Sequence, residues 1–138
     1  MRITVDTNIL ARVLLDDDPR QTAVARAILE AADLIVIPVS VLCELVWIMR
    51  RGLSLTARDI AAALESVLAI DAVVTDSSAV DAGLAMLRAG GDFADGCVPA
   101  QGAVTGGDIF VSFDRAAVEL WRSQGGRSAE PNCLLAQI

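Results

Sequence analysis

The sequence predicts an α/β fold in which a mostly parallel central sheet of four to five strands is flanked by helices. Short β-branched runs alternate with helical patterns along the whole chain. The hydrophobic fraction of 54% is high enough for a sheet that is buried on both faces. No repeat or linker-like stretch interrupts the 138 residues, so we expect a single domain over residues 1–138.

The strand predictions rest on compact apolar runs that stop at a polar residue or at proline. Four runs have this form, at residues 3–5, 34–37, 72–75 and 109–112. Leu134 and Leu135 are candidates for a further strand at the edge of the sheet.

The helix predictions rest on apolar residues at helical spacing behind a capping residue. Pro19 after an acidic run and Thr56 three residues before Asp59 mark two helix starts, and Ser40 can cap the helix after the second strand. The predicted helices begin near residues 8, 19, 40, 56, 77, 92 and 115.

Composition excludes several classes of enzyme. The chain has no histidine and no lysine, which rules out histidine-based catalysis and the usual zinc enzymes. Haloacid dehalogenase-type phosphohydrolases and receiver domains also begin with an acid after a strand, but both use a lysine. A metal bound here would have oxygen ligands, which favours Mg²⁺ or Mn²⁺. We interpret the three cysteines as small apolar residues in a reducing compartment.

The net charge of −7 argues against broad electrostatic binding of nucleic acid. The longest apolar stretch, residues 34–49, contains Pro38, Ser40 and Glu44 and is therefore a poor membrane span. Asp6 lies where the apolar part of a signal peptide would be. We therefore expect a cytoplasmic protein without a membrane segment.

Four acids stand at positions from which side chains reach one edge of a parallel sheet. Asp6 and Asp114 follow strands, Glu44 lies one turn into a helix, and Asp95 lies near the start of another. Each alone could cap a helix or complement its dipole. Together they would repel one another unless a cation or protons compensated them, and a divalent ion would do so while leaving room for water and phosphate.

The residues around these acids resemble the PIN-domain ribonucleases, and among them the VapC-type toxins of bacterial toxin–antitoxin pairs. The matching motifs are VDTNIL from Val5, SVLCEL from Ser40, DFAD from Asp92 and VSFD from Val111. The resemblance implies that Asp6, Glu44, Asp95 and Asp114 bind Mg²⁺ or Mn²⁺ and catalyse hydrolysis of RNA phosphodiester bonds. One ion and two ions are both compatible with this set.

Further roles follow for neighbouring residues. Thr7, Asn8 and Ser112 are candidates for holding the acids or a water molecule in place. Arg115 can contact a substrate phosphate or form a surface salt bridge. The remaining acids of these segments, Asp92 and Asp108, are interpreted as helix- and turn-capping residues.

One segment departs from the family pattern. Asp95 is followed by Gly96 and, three residues later, by Pro99, where the family has helix-forming residues. Glycine and proline disfavour a helix interior by about 1 and 3 kcal/mol relative to alanine. We therefore predict a helix that is kinked or starts late, with a possible displacement of Asp95.

The resemblance to toxins also implies protein partners. The high apolar content is consistent with a homodimer face and a groove for an amphipathic segment of a cognate antitoxin. Trp47 is either an anchor of such a surface or a core residue, and we favour the core. The alternative to a ribonuclease is a catalytically weak PIN-like binding module whose acids are structural.

Overall fold

Five short strands, all paired in parallel, confirm the predicted α/β class. The computed structural model describes residues 1–138, which divide into two units, Met1–Asp76 and Ser77–Ile138. The strands are distributed between a three-stranded sheet and a two-stranded sheet. None of the helices combines the length and the apolarity needed to cross a bilayer.

The first unit is built on the three-stranded sheet, whose strand order is β1-β2-β3. Its strands are β1 (Arg2–Thr4), β2 (Leu34–Val36) and β3 (Val73–Val74). Ile35 of β2 is 1% exposed and pairs with Ile3 on one side and Val73 on the other. Because the strands are parallel, the chain leaves β1 and β2 at the same edge of the sheet.

The helices of the first unit follow the predicted order. They are α1 (Thr7–Leu15), α2 (Pro19–Glu30), α3 (Val39–Trp47) and α4 (Ala57–Leu68), with a turn of π-helix at Ile48–Gly52. The predicted start at Pro19 is confirmed, and the side chain of Asp18 accepts a hydrogen bond from Gln21 N. Thr56 caps α4 by accepting from Asp59 N at 3.1 Å, also as predicted.

The prediction that Ser40 caps α3 is wrong. The helix begins at Val39, with Pro38 in the N-cap position and no side-chain cap. The Pro38 carbonyl accepts a hydrogen bond from Leu42 N at 3.3 Å, so Ser40 already lies within the first turn. Apolar residues of α3 fill the core of this unit, where Leu42 and Leu45 are both 0% exposed.

The second unit contains four helices and two strands. In chain order they are α5 (Ser77–Arg88), α6 (Phe93–Val104), β4 (Phe110–Val111), α7 (Arg115–Ser123), β5 (Ser128–Ala129) and α8 (Pro131–Leu135). The predicted strand at Leu134 and Leu135 is wrong because Pro131 starts a helix there, in which Leu134 N donates to Glu130 O. The strand beside β4 is instead β5, in which Ser128 pairs with Phe110.

Of the two alternatives predicted for α6, the late start is wrong, because the helix begins at Phe93, before Asp95, and runs to Val104 with Pro99 inside it. The predicted kink stays a prediction. Gly96 permits close contact between α5 and α6: a Cβ at this position would lie 2.2 Å from the carbonyl oxygen of Ala82. Gly83 of α5 has the complementary role, since its Cβ would lie 2.7 Å from the ring of Phe93. Position 96 therefore needs glycine, although other residues form helices more readily, because the backbones of α5 and α6 pack against each other at this point.

This close contact makes Gly96 more sensitive to substitution than another glycine of the same helix. A Gly96→Ala substitution should lower the free energy of unfolding by about 1–3 kcal/mol, because the added methyl group overlaps the Ala82 backbone. Gly102 is the matched control, since no atom lies within 4 Å of its added Cβ. Gly102→Ala should raise the free energy by up to about 1 kcal/mol. Urea denaturation would measure both, and equal stabilities of the two variants would contradict the packing described.

Candidate functional site

Asp6 and Glu44 are brought to the same edge of the three-stranded sheet. Asp6 follows β1 and caps α1, with its Oδ1 accepting from Ile9 N at 3.2 Å. The next residue, Thr7, is only 5% exposed, and its hydroxyl donates to Oε2 of Glu44 at 2.8 Å. This hydrogen bond joins two segments that are 37 residues apart and fixes the Glu44 carboxylate beside the start of α1.

Asp114 has the same local environment in the second unit as Asp6 has in the first. It follows β4 and caps α7, with Oδ1 accepting from Ala117 N at 3.1 Å. The hydroxyl oxygen of Ser112 accepts a hydrogen bond from the backbone N–H of Asp114 at 3.0 Å. Both aspartates use Oδ1 for capping, and a carboxylate has further acceptor positions on its second oxygen.

Asp95 lies in the first turn of α6 and is partly buried. Burial raises the pKa of Asp95 above its ordinary value, and the negative charges of Asp92 and Asp114 raise it further. The charge of Asp114 therefore acts on Asp95 within the second unit, although 19 positions separate the two residues in the sequence.

The other residues singled out from the sequence have varied surroundings. Asn8 is exposed in the first turn of α1 and makes no hydrogen bond with any of the four acids. Arg115 forms the predicted surface ion pairs, with its Nε 3.1 Å from Glu119 and 3.8 Å from Glu130. Asp92 occupies the N-cap position of α6 but makes no capping bond through its side chain. The expectation that Asp92 caps the helix is wrong in this respect.

Two aromatic residues are exposed. Trp47, for which the sequence favoured a core position, is 62% exposed, because it lies at the end of α3 outside its buried face. Phe113, immediately before Asp114, is 84% exposed and was missed by the sequence analysis. Its signal in the sequence is weak: a phenylalanine after a strand reads as one more core residue.

The donor set of the acids fits a hard divalent cation. Neither unit by itself contains three or more acidic or cysteine side chains arranged to hold a metal ion. The donor atoms of all four acids are carboxylate oxygens, the ligands preferred by Mg²⁺ and Mn²⁺. The mutual repulsion at Asp95 is the electrostatic condition that a bound cation relieves.

The raised pKa of Asp95 has a consequence for stability in the absence of divalent ions. The folded state keeps the Asp95 proton to higher pH than the unfolded state, so stability decreases as pH rises from the ordinary aspartate range through the raised pKa. Asp95→Asn should therefore be more stable than wild type at pH 7, and this advantage should vanish below about pH 3. Denaturation in the presence of a chelator at several pH values would measure the difference.

Asp81→Asn is the control for that experiment, because Asp81 is an exposed residue of α5 in the same unit. An exposed substitution of this kind should change stability by less than about 0.5 kcal/mol. If Asp95→Asn were destabilising at pH 7, or if its effect did not depend on pH, the electrostatic description of Asp95 would be wrong.

Comparison with known proteins identifies the family. A search among curated proteins finds no significant match. The model of the PIN domain family matches residues 3–120, a range that includes all four acids and parts of both units. PIN domains have a nuclease fold, commonly act as metal-dependent ribonucleases and typically use divalent ions, so the family supports a hydrolase of nucleic acid. The match covers most of the chain, which therefore belongs to the PIN domain family.

Proposed function

We propose that this protein is a metal-dependent endoribonuclease, formed as one PIN domain over residues 1–138, and that it acts in the cytoplasm as the toxin of a VapBC-type pair. The observation that carries the nuclease proposal is the hydrogen bond from Thr7 to Glu44 beside Asp6. It orients a second carboxylate at the edge where β1 ends, which is where ligands bind in parallel α/β sheets. The family match supplies the reaction class.

In this proposal Asp6, Glu44, Asp95 and Asp114 hold Mg²⁺ or Mn²⁺. When bound, the ion supplies activation of a water molecule and compensation of charge on the leaving oxygen of the phosphodiester. Helix capping restricts the rotamers of Asp6 and Asp114, which keeps the second oxygen of each carboxylate in a fixed direction. Thr7 supports this arrangement by donating a hydrogen bond to Glu44 Oε2, and Ser112 supports it by accepting one from Asp114 N.

The negative charge of the acids would also repel an RNA backbone. The net charge of −7 includes these four carboxylates, so a divalent ion reduces the repulsion as well as serving the reaction. Arg115 is a candidate contact for a phosphate if its ion pairs with Glu119 and Glu130 exchange for the substrate. Both pairs lie at the surface, where such an exchange costs little.

A catalytically weak binding module is the second candidate. The observation that favours it is Trp47, a large aromatic side chain that is 62% exposed on α3 and is typical of an anchor at a protein interface. In this candidate the acids serve only as helix caps, a role that Asp6 and Asp114 do have. Metal-dependent hydrolysis of RNA distinguishes the two candidates.

The nuclease proposal predicts that Asp6→Asn and Asp114→Asn each reduce RNA cleavage by about 100-fold or more. Asparagine caps helices as well as aspartate does, so both variants should keep the fold while losing a charged oxygen ligand. Cleavage of a panel of tRNAs, rRNA hairpins and unpaired RNA would be measured with Mg²⁺, with Mn²⁺ and with a chelator. Asp81→Asn should cleave as wild type does. Equal background cleavage by wild type and both site variants would support the binding module.

The toxin assignment predicts a homodimer and a cognate antitoxin that contributes an amphipathic segment. The exposed side chain of Trp47 supports a protein contact on α3. Wild type should sediment as a dimer at micromolar concentration, and Trp47→Ala should shift the equilibrium toward monomer. A monomeric wild type in analytical ultracentrifugation would contradict the dimer while leaving the nuclease proposal intact.

A further inference from the structure

Phe113 is an aromatic side chain presented to solvent at the end of β4. It is 84% exposed, more than Trp47, whereas Phe93 of the same unit is fully buried. It lies between Ser112, which bonds the Asp114 backbone, and Asp114 itself. Single exposed apolar residues are common at protein surfaces. This ring is distinguished by its position directly before Asp114, where it can contact a molecule that also contacts that carboxylate.

The backbone on both sides of Phe113 is fixed. Ser112 N donates to Ala129 O of β5 at 3.3 Å, and the hydroxyl oxygen of Ser112 accepts from Asp114 N at 3.0 Å. Asp114 is in turn held by its capping bond from Ala117 N. The ring therefore projects from an ordered turn rather than a mobile loop, which lowers the entropy cost of binding a ligand against it.

The charge of the chain indicates what kind of contact such a ligand would need. With a net charge of −7 the protein has little general attraction for phosphates, and Arg115, the arginine that follows Asp114 in the sequence, must exchange its pairs with Glu119 and Glu130 before it can contact one. Contacts that do not depend on positive charge then supply a larger share of the affinity for a single strand. Stacking of a base on an aromatic ring is such a contact and accepts any base.

We propose that Phe113 is a substrate-binding residue on which an unpaired base of the RNA stacks, next to the phosphate that reaches Asp114. The inference rests on the proposed nuclease function and adds to it a residue of this chain that contacts a base of the substrate. One stacked base changes affinity by about 5- to 150-fold.

Substitutions of Phe113 separate stacking from simple apolarity. Phe113→Ala and Phe113→Leu should raise the KM for a short unpaired RNA by about 5- to 150-fold with kcat nearly unchanged, because leucine is apolar but has no aromatic face. Phe113→Trp should keep the wild-type KM. Val104→Ala is the control: Val104 is 77% exposed on α6, nine residues and about 14 Å along the helix from Asp95. A wild-type KM in Phe113→Ala, or a KM restored equally by leucine and tryptophan, would overturn the proposal.

A second measurement does not depend on cleavage. RNA that carries 5-iodouridine would be photocrosslinked to the Asp6→Asn variant, and the modified peptide would be mapped. A crosslink at Phe113 without cleavage by wild type would support the stacking and overturn the nuclease function. Cleavage by wild type with an unchanged KM in Phe113→Ala and no crosslink would overturn the stacking alone. Absence of both the cleavage and the crosslink would overturn both the nuclease function and the stacking. A changed sedimentation of Phe113→Ala with an unchanged KM would assign the ring to a protein contact instead.

Discussion

Two helix caps, formed by the carboxylates of Asp6 and Asp114, hold the junction between a strand and the following helix in each unit. Asp6 and Asp114 each follow a parallel strand and accept a backbone N–H of the helix that comes next. A helix start needs such an acceptor, and an aspartate provides it together with a negative charge. The same placement puts a negative charge at the end of a strand in each unit, and negative charge gathered near other acids is unfavourable unless a cation or protons compensate it. In the proposed metal site, one oxygen of each carboxylate would serve the fold and the other would serve the ion.

The position of Asp95 depends on helix packing as well as on local sequence. Gly96 lets α6 approach the backbone of α5 at Ala82, and Gly83 receives the ring of Phe93 on the facing side. Asp95 is adjacent to this contact, partly buried and near Asp114, so its carboxylate feels both desolvation and like charge. Gly96, which the sequence predicted would weaken the helix, therefore helps to position Asp95.

The sequence predicted the features that local chemistry determines. Strands at β1 and β2, the start of α2 at Pro19 and the cap at Thr56 follow from periodicity and capping residues, and the structure has them. It failed where tertiary contacts decide. The strand β5 contains only Ser128 and Ala129 and exists because it pairs with β4, a partner that no local pattern reveals. The sequence also identified Thr7 as a supporting residue but could not show that its hydroxyl reaches Glu44.

Mn²⁺ binding shows directly whether the strand-end acids form a divalent-metal site. Electron paramagnetic resonance of free Mn²⁺ would be followed while wild type, Asp6→Asn, Asp114→Asn and Asp81→Asn are titrated. If the strand-end acids form a divalent-metal site, wild type and Asp81→Asn should bind Mn²⁺ saturably, and each site variant should bind at least about 10-fold more weakly. Equal binding by all four proteins, or no saturable binding by wild type, would show that Asp6 and Asp114 are not metal ligands.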